Sequence, residues 1–233
     1  MLLIFVLGSS VNANNTTVKF RAENMTCGGC SGKIKKTVTA IDGVSGFEAN
    51  LEARVVTIAY DDAKVSAEQL KEAITAIKYN AVDYDPNEVI TRKASFKADQ
   101  MGCGGCAAKV KKNIGAEDGV LSVEVDLPAK EVKVEYDANK ISAKEIKSDF
   151  QKFSYTVTRF SANEAIKYAR FKLDEVSNAA EVEQKLAAEK GVYDVTVNPA
   201  TKEIAIAYNG NAITEEGLTE NIKKQDLKLV ASK

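Results

Sequence analysis

Cys27-Gly28-Gly29-Cys30 and Cys103-Gly104-Gly105-Cys106 hold all four cysteines of the chain. Two thiols at this spacing can do two kinds of chemistry. As thiolates they can grip one soft ion between them; as a dithiol they can close to a disulfide and pass electrons by exchange. The paired glycines remove side-chain bulk, so a loop can bring both sulfurs onto one ion. Little else competes as reactive machinery. The chain has no His, which excludes a Ser-His-Asp triad, a Cys-His dyad, an imidazole zinc site and a histidine base. With 32 Lys+Arg against 33 Asp+Glu, the net charge is −1. No global field recruits nucleic acid or an anionic membrane surface, so no nucleic-acid partner is expected.

The elements that position the thiols are read from an internal repeat. Gly43, Tyr60 and Tyr79 follow the first pair at the same intervals at which Gly119, Tyr136 and Tyr155 follow the second. Gly191 and Tyr208 place a third copy on the same ruler. That ruler sets Glu175 and Asn178 at the cysteine positions and Leu227 at the last Tyr. The period is domain length, not solenoid length. We expect three beads, at 16–84, 89–160 and 163–233, joined near Asp85-Pro86-Asn87 and Ser161-Ala162-Asn163.

Within each copy the hydrophobic period alternates between strand and helix in one order. An alternating strand precedes Cys27. Ile34, Val38 and Ile41 then mark a helical face, matched by Val110 and Ile114 and by Val182 and Leu186. Gly43, Gly119 and Gly191 are expected to cap that helix in a left-handed conformation. Phe47/Ala49/Leu51 and Val56/Ile58/Tyr60 read as two strands, with counterparts in both other copies. Ser66-Ala-Glu-Gln69 and Ser142-Ala-Lys-Glu145 are capping boxes, with Thr214 at the same place in the third copy, and they open a second helix. Its inner face is Leu70/Ile74/Ile77, then Ile146/Phe150/Phe153, then Leu218/Ile222. Final strands are expected at Ala81–Tyr84, Thr156–Thr158 and Lys228–Val230. The fold class is α+β: three tandem ferredoxin-like βαββαβ domains.

Each C-x-x-C sits where the first strand hands over to the first helix. The first thiol lies on the loop and the second enters the first helical turn, where unpaired N–H groups and the positive dipole end favour thiolate. Lys33, Lys35 and Lys36, repeated as Lys109, Lys111 and Lys112, add positive charge along the same helix.

Met25-Thr26-Cys27-Gly28-Gly29-Cys30 and Met101-Gly102-Cys103-Gly104-Gly105-Cys106, at the first loop of two βαββαβ units, resemble the heavy-metal-associated domain. That family includes copper chaperones, N-terminal domains of copper-transporting P-type ATPases and a periplasmic mercury-binding protein. The resemblance covers residues 16–233, by motif in two copies and by frame alone in the third. It implies that Cys27, Cys30, Cys103 and Cys106 are metal ligands, and that Met25 and Met101 pack under the loop instead of coordinating. Tyr79 and Tyr155 match a loop tyrosine that lies near the ion in bacterial copper chaperones. Lys78 and Ser154 stand where the family often has Gly. Two thiolates with no imidazole or neighbouring carboxylate suit Cu(I) first and Hg(II) second, with four-coordinate Zn(II) behind both. Thiol-disulfide exchange is the rival reading.

The third copy lacks the thiols, and Glu181 and Glu183 replace lysines on its helix, so it is expected not to bind a soft ion. One reading makes it a stabilising cap; another makes its acidic face a cover for a basic metal loop. Met1–Gly8 is an apolar run too short to span a bilayer, and Val11-Asn12-Ala13 suits cleavage, so residues 1–13 read as a signal peptide and the protein as exported, periplasmic or extracellular. With no ATP-binding motif or later apolar run, the expected product is a soluble, monomeric, non-enzymatic carrier or buffer. Its partners would be proteins that donate or accept the ion, such as a copper transporter or another domain of this kind.

Overall fold

A computed structural model describes residues 15–225 and 227–230; the expected signal peptide lies outside the described residues. The chain divides into two compact units, one ending at Glu88 and one running from Val89 to Lys233.

The first unit follows the expected order: β1 (Asn15–Ala22), α1 (Gly28–Val38), β2 (Val44–Asn50), β3 (Val55–Asp61), α2 (Ala67–Ala76) and β4 (Ala81–Asp83). The sheet order is β2-β3-β1-β4, with β1 antiparallel to both β3 and β4. Alternation along the strands sends Phe20, Ala22, Val56, Ile58 and Tyr60 inward. There they meet Ile34 and Val38 of α1 and Leu70 and Ile74 of α2 in one core. Ser66 caps α2 with the full reciprocal box to Gln69.

The second unit begins with the same plan: β5 (Thr91–Lys97), α3 (Gly104–Ile114), β6 (Val120–Asp126), β7 (Glu131–Asp137), α4 (Ala143–Lys152) and β8 (Thr158–Arg159), in sheet order β6-β7-β5-β8. Ser142 and Glu145 complete the second capping box. The third copy supplies β9 (Ile166–Lys172), α5 (Ala179–Ala187), β10 (Val192–Asn198), β11 (Glu203–Asn209) and α6 (Glu215–Lys224), with sheet order β10-β11-β9. Its expected last strand is reduced to a single bridge, Leu173 to Leu229. Thr214 caps α6 by accepting from Gly217 N–H, but glycine at that place has no side chain to return the bond.

The repeated glycines do a different job from the one expected. The first helices end at Val38, Ile114 and Ala187, with Thr39, Gly115 and Ala188 as C-caps. Gly43, Gly119 and Gly191 come later, just before the next strand, at φ +100°, +94° and +93°. Each carbonyl accepts a bond from the end of the hairpin's second strand, from Asp61, Asp137 and Asn209 respectively. A Cβ at Gly119 would stand 2.6 Å from Lys140 Cβ. Gly119→Ala is therefore expected to cost about 2 kcal/mol, from left-handed strain plus the clash, measurable as a lowered urea midpoint.

The second and third copies are not separate beads. In the first two copies the sheet face away from the helices is wet: Glu48, Asn50, Glu124 and Asp126 are exposed. The corresponding face of the third copy is covered. Thr196 and Ala207 have no exposed surface, and Asn198 and Ala205 are buried. The covering surface is α4, β8 and the segment between them. Lys147 Nζ reaches Asp194 Oδ1 and the Val195 carbonyl, both at 2.9 Å. Arg159 N–H donates to Asp194 Oδ2 at 2.7 Å, and Thr196 Oγ1 donates to the Val157 carbonyl at 2.6 Å. Phe160 stacks on Tyr168 at 6.2 Å, and Lys97 Nζ lies 5.4 Å from the Tyr168 ring centroid.

Candidate metal centres

Cys27 and Cys103 are the N-cap residues of α1 and α3, in extended backbone at φ −152° and −143°. Their sulfurs accept from the N–H groups of Cys30 at 3.2 Å and Cys106 at 3.1 Å, so each sulfur already takes up one of the helix's free donors. The first cysteine of each pair is exposed and the second half-buried, Cys30 packing against the core of its domain. The structure joins Cys27 to Cys30 and Cys103 to Cys106 as disulfides, with Cα atoms 5.1 Å apart in both.

The flanking glycines are not needed for backbone strain. A Cβ at Gly28 or Gly104 would meet nothing within 4 Å, and one at Gly29 or Gly105 only the first sulfur, at 3.9 Å. What they provide is open space above the sulfurs, through which an incoming ligand can approach. The six lysines on α1 and α3 are exposed, and neither helix has an acidic residue in its first turn. Lys35, Lys36, Lys111 and Lys112 lie in the last turns, at the far end of each helix from the sulfurs, and Lys33 and Lys109 stand nearer to them along the helix.

Met25 and Met101 are fully buried, Met25 within the first core. They sit beneath the loop. Tyr79 is half-buried against the same core, and Tyr155 is buried. The residues before these tyrosines take the backbone that glycine favours: Lys78 and Ser154 have φ +69° and +66°. The loop conformation thus survives the absence of glycine, at a strain cost of about 1 kcal/mol each. Among the described residues no group of three or more His, Cys, Asp or Glu is placed to hold a metal ion. Each pair offers two sulfurs and no third side-chain donor of those types.

The third copy departs from its expected frame. Asn178, laid on the second cysteine by the ruler, is instead the N-cap of α5, the role of Cys27 and Cys103, and its Oδ1 accepts from Glu181 N–H at 3.2 Å. Glu175 falls in the preceding loop. The strand-to-cap spacing is kept, while the helix has lost residues from its body: α5 has 9 residues where α1 has 11. Asparagine is a strong N-cap in its own right, so the helix start is preserved without sulfur. The acidic residues of α5 are engaged inside their own domain. Glu181 pairs with Lys185 at 2.7 Å, which holds its carboxyl below the usual carboxylate range, and Glu183 Oε1 accepts from Val197 N–H at 2.7 Å. Contact with the second copy is made by the sheet and not by this helix. The outward residues of Ile204-Ala205-Ile206-Ala207-Tyr208 are uncharged, as are Thr57 and Ala59 at the same places in the first copy. Alanine stands on the outward positions where the second copy carries Lys133 and Glu135.

The family model for the heavy-metal-associated domain matches residues 19–80 and 95–156. A copper-exporting P-type ATPase from Bacillus subtilis is 27% identical over 138 residues, covering 59% of this chain and 16% of the ATPase. The copper chaperone CopZ from Staphylococcus aureus is 42% identical over 60 residues, covering 26% of this chain and 88% of the chaperone. Among solved structures, the N-terminal soluble domains of Bacillus subtilis CopA cover 65% of this chain and 98% of their own at 24% identity, with a TM-score of 0.30. The chain spans only 16% and 21% of the first two transporting ATPases it matches. No helix among the described residues is long and apolar enough to cross a membrane.

Proposed function

Since the chain belongs to the heavy-metal-associated domain family, we propose that it binds Cu(I) through Cys27 with Cys30 and Cys103 with Cys106, and carries or buffers the ion for protein partners. The observation that carries this reading is the donor set. Two soft sulfurs stand at a helix N-terminus, flanked by space left open by glycine, with no third His, Cys, Asp or Glu gathered to them among the described residues. A low-coordinate d¹⁰ ion suits that set, whereas Zn(II) asks for four ligands. The names of the relatives point to copper as well.

Loading begins from the open form. Each disulfide takes up two electrons and two protons from a dithiol reductant to give two thiols, and those two protons leave as the thiolates bind the ion. With only two sulfurs bound, the ion has room for a third from an incoming partner. Transfer then goes through a shared intermediate instead of a free ion. Such a partner is a metal-donating or metal-accepting protein, for instance a copper transporter or another domain of this family. Matching residues in the ATPases form only a small share of those proteins.

The third copy belongs to this reading as a third ferredoxin-like domain, at 163–233, that has given up its site. Export is part of the proposal too, supported by the apolar run at Met1–Gly8 and the small residue Ala13; N-terminal sequencing of the protein from its native compartment should then begin at Asn14, and a start at Met1 would refute it. The metal reading is tested by anaerobic Cu(I) titration of the reduced chain against a chromophoric chelator, with two tight equivalents expected. If Cu(I) is not held while Hg(II) is, the site belongs to mercury. If neither is held, the pairs are redox groups, and their reduction potentials become the measurement of interest.

A further inference from the structure

The loops flanking the two cysteine pairs are held in different ways. Gln100, just upstream of Met101 and Cys103, accepts the N–H of Thr156 at 2.9 Å through Oε1, and Thr156 directly follows Tyr155. One side chain therefore ties together the two loops that bound the second pair. The same Gln100 donates through Nε2 to Glu203 Oε2 of the third copy at 2.6 Å. Thr156 Oγ1 donates to that oxygen at 3.1 Å, as does Thr201 Oγ1. Arg170 completes the join: its Nη2 donates to the Thr156 carbonyl at 2.9 Å and its Nη1 lies 3.5 Å from Glu203 Oε2. Thr156 is fully buried by this arrangement. At the first pair the equivalent residues are Asn24 and Asn80, both exposed. There Asn24 Nδ2 donates to the Lys78 carbonyl at 3.4 Å and Asn80 Nδ2 to Glu23 Oε2 at 2.5 Å, so these loops are tied only within their own domain and at the exposed surface, with no carboxylate from another copy.

We propose that the third copy is a built-in clamp on the second cysteine pair: through Glu203 it fixes both loops flanking Cys103 and Cys106, so the half-buried Cys106 reacts more slowly than Cys30 and the second pair exchanges its ion more slowly than the first. The ion-exchange half of this rests on the metal reading above; the thiol-reactivity half does not. The physical ground is that Cys103 is exposed but Cys106 is half-buried, so an incoming thiol or alkylating reagent reaches the second sulfur, and a held ion leaves the pair, as the loops give way. Around the second pair that movement breaks bonds to a carboxylate in a partly buried setting, which are stronger than neutral ones in water. Glu203 touches no sulfur. It is a positioning residue that acts through Gln100 and Thr156, and it makes two otherwise similar sites unequal.

The test uses the full chain, reduced and metal-free, with iodoacetamide alkylation followed cysteine by cysteine by mass spectrometry and amide hydrogen exchange read at Thr156 and Met101. Glu203→Ala is expected to speed alkylation of the half-buried Cys106 about tenfold, the scale of one such hydrogen bond, with the exposed Cys103 little changed. Exchange at Thr156 should rise with it, while Cys27 and Cys30 stay within about twofold. Glu203→Gln keeps an acceptor oxygen and should restore most of the slow rate. An unchanged rate at Cys106, or an equal rise at Cys30, would overturn the clamp. Should Glu203→Ala fail to fold, Gln100→Ala cuts the same join from the other side and must give the same selective gain, or the clamp is wrong. Copper release to the chelator from the wild type and the two Glu203 variants gives the second arm. A wild type that holds no Cu(I) refutes the metal reading, while the alkylation rates still decide the clamp.

Discussion

Changing Cys27 and Cys30 to serine is expected to leave one tight Cu(I) equivalent, and changing Cys103 and Cys106 as well to leave none. The loss at each site should be at least about a thousandfold in affinity, on the order of 4 kcal/mol. A neutral hydroxyl is a hard donor that stays protonated at neutral pH, whereas the thiolate is soft and charged. The comparison is clean because the substitution spares the helix. Cys27 and Cys103 serve as N-caps by accepting from Cys30 and Cys106 N–H, and serine is among the preferred residues for that role. Their other surroundings are open, so no core contact is lost on the cap side. Circular dichroism of the fourfold variant should therefore match the wild type while the chelator competition shows no retained ion. A variant that keeps two tight equivalents would show that the sulfurs are not the ligands.

Much of this arrangement was legible in the residues. The alternation of Phe20, Val56, Ile58 and Tyr60, the helical faces at Ile34/Val38 and Leu70/Ile74, and the capping boxes at Ser66 and Ser142 are local signals, and each appears where its period places it. The cysteines fall at the cap and in the first turn because a C-x-x-C directly ahead of a helical face leaves little alternative. Signals that failed were those whose meaning depends on distant atoms. A glycine soon after a helix looks like a C-cap, but Gly43, Gly119 and Gly191 are demanded by the crowding of Lys64, Lys140 and Ala212 across the turn. The Glu175/Asn178 frame failed because the ruler ran back from Gly191 through a helix shortened in its body, and only the cap bond at Asn178 reveals the shift. The union of the second and third copies was missed for a related reason. Hydrophobic periodicity finds the face packed on a domain's own helices, whereas the opposite face is marked only by lacking charge, which the first copy shares at Thr57 and Ala59.

That missing charge sets the second large effect. Ala207 occupies the outward position held by Glu135 in the second copy, and it has no exposed surface because the second copy covers it. Ala207→Glu would restore the residue type of an open sheet face inside a closed interface. The new carboxylate would stand beside its register partners Asp194 and Tyr168, next to a carboxylate already paired with Lys147 of the second copy. To stay charged it must either lose its water or push the domains apart. Separation is the cheaper course, since each domain keeps its own core: Ile204, Ile206 and Tyr208 point the other way, toward Leu186, Leu218 and Ile222. The expected cost to the joined state is about 3 kcal/mol or more. It should appear as a third-copy transition split from that of the second copy in urea, with faster amide exchange at Thr156 and Val157 and little change along β5 and β7. Splitting the domains must also release the Gln100–Glu203 join, so alkylation of Cys106 should rise toward the rate of Cys30. A single cooperative transition at the wild-type midpoint would mean that the third copy's buried sheet face contributes no stability, and that its alanines mark nothing more than small residues on a strand.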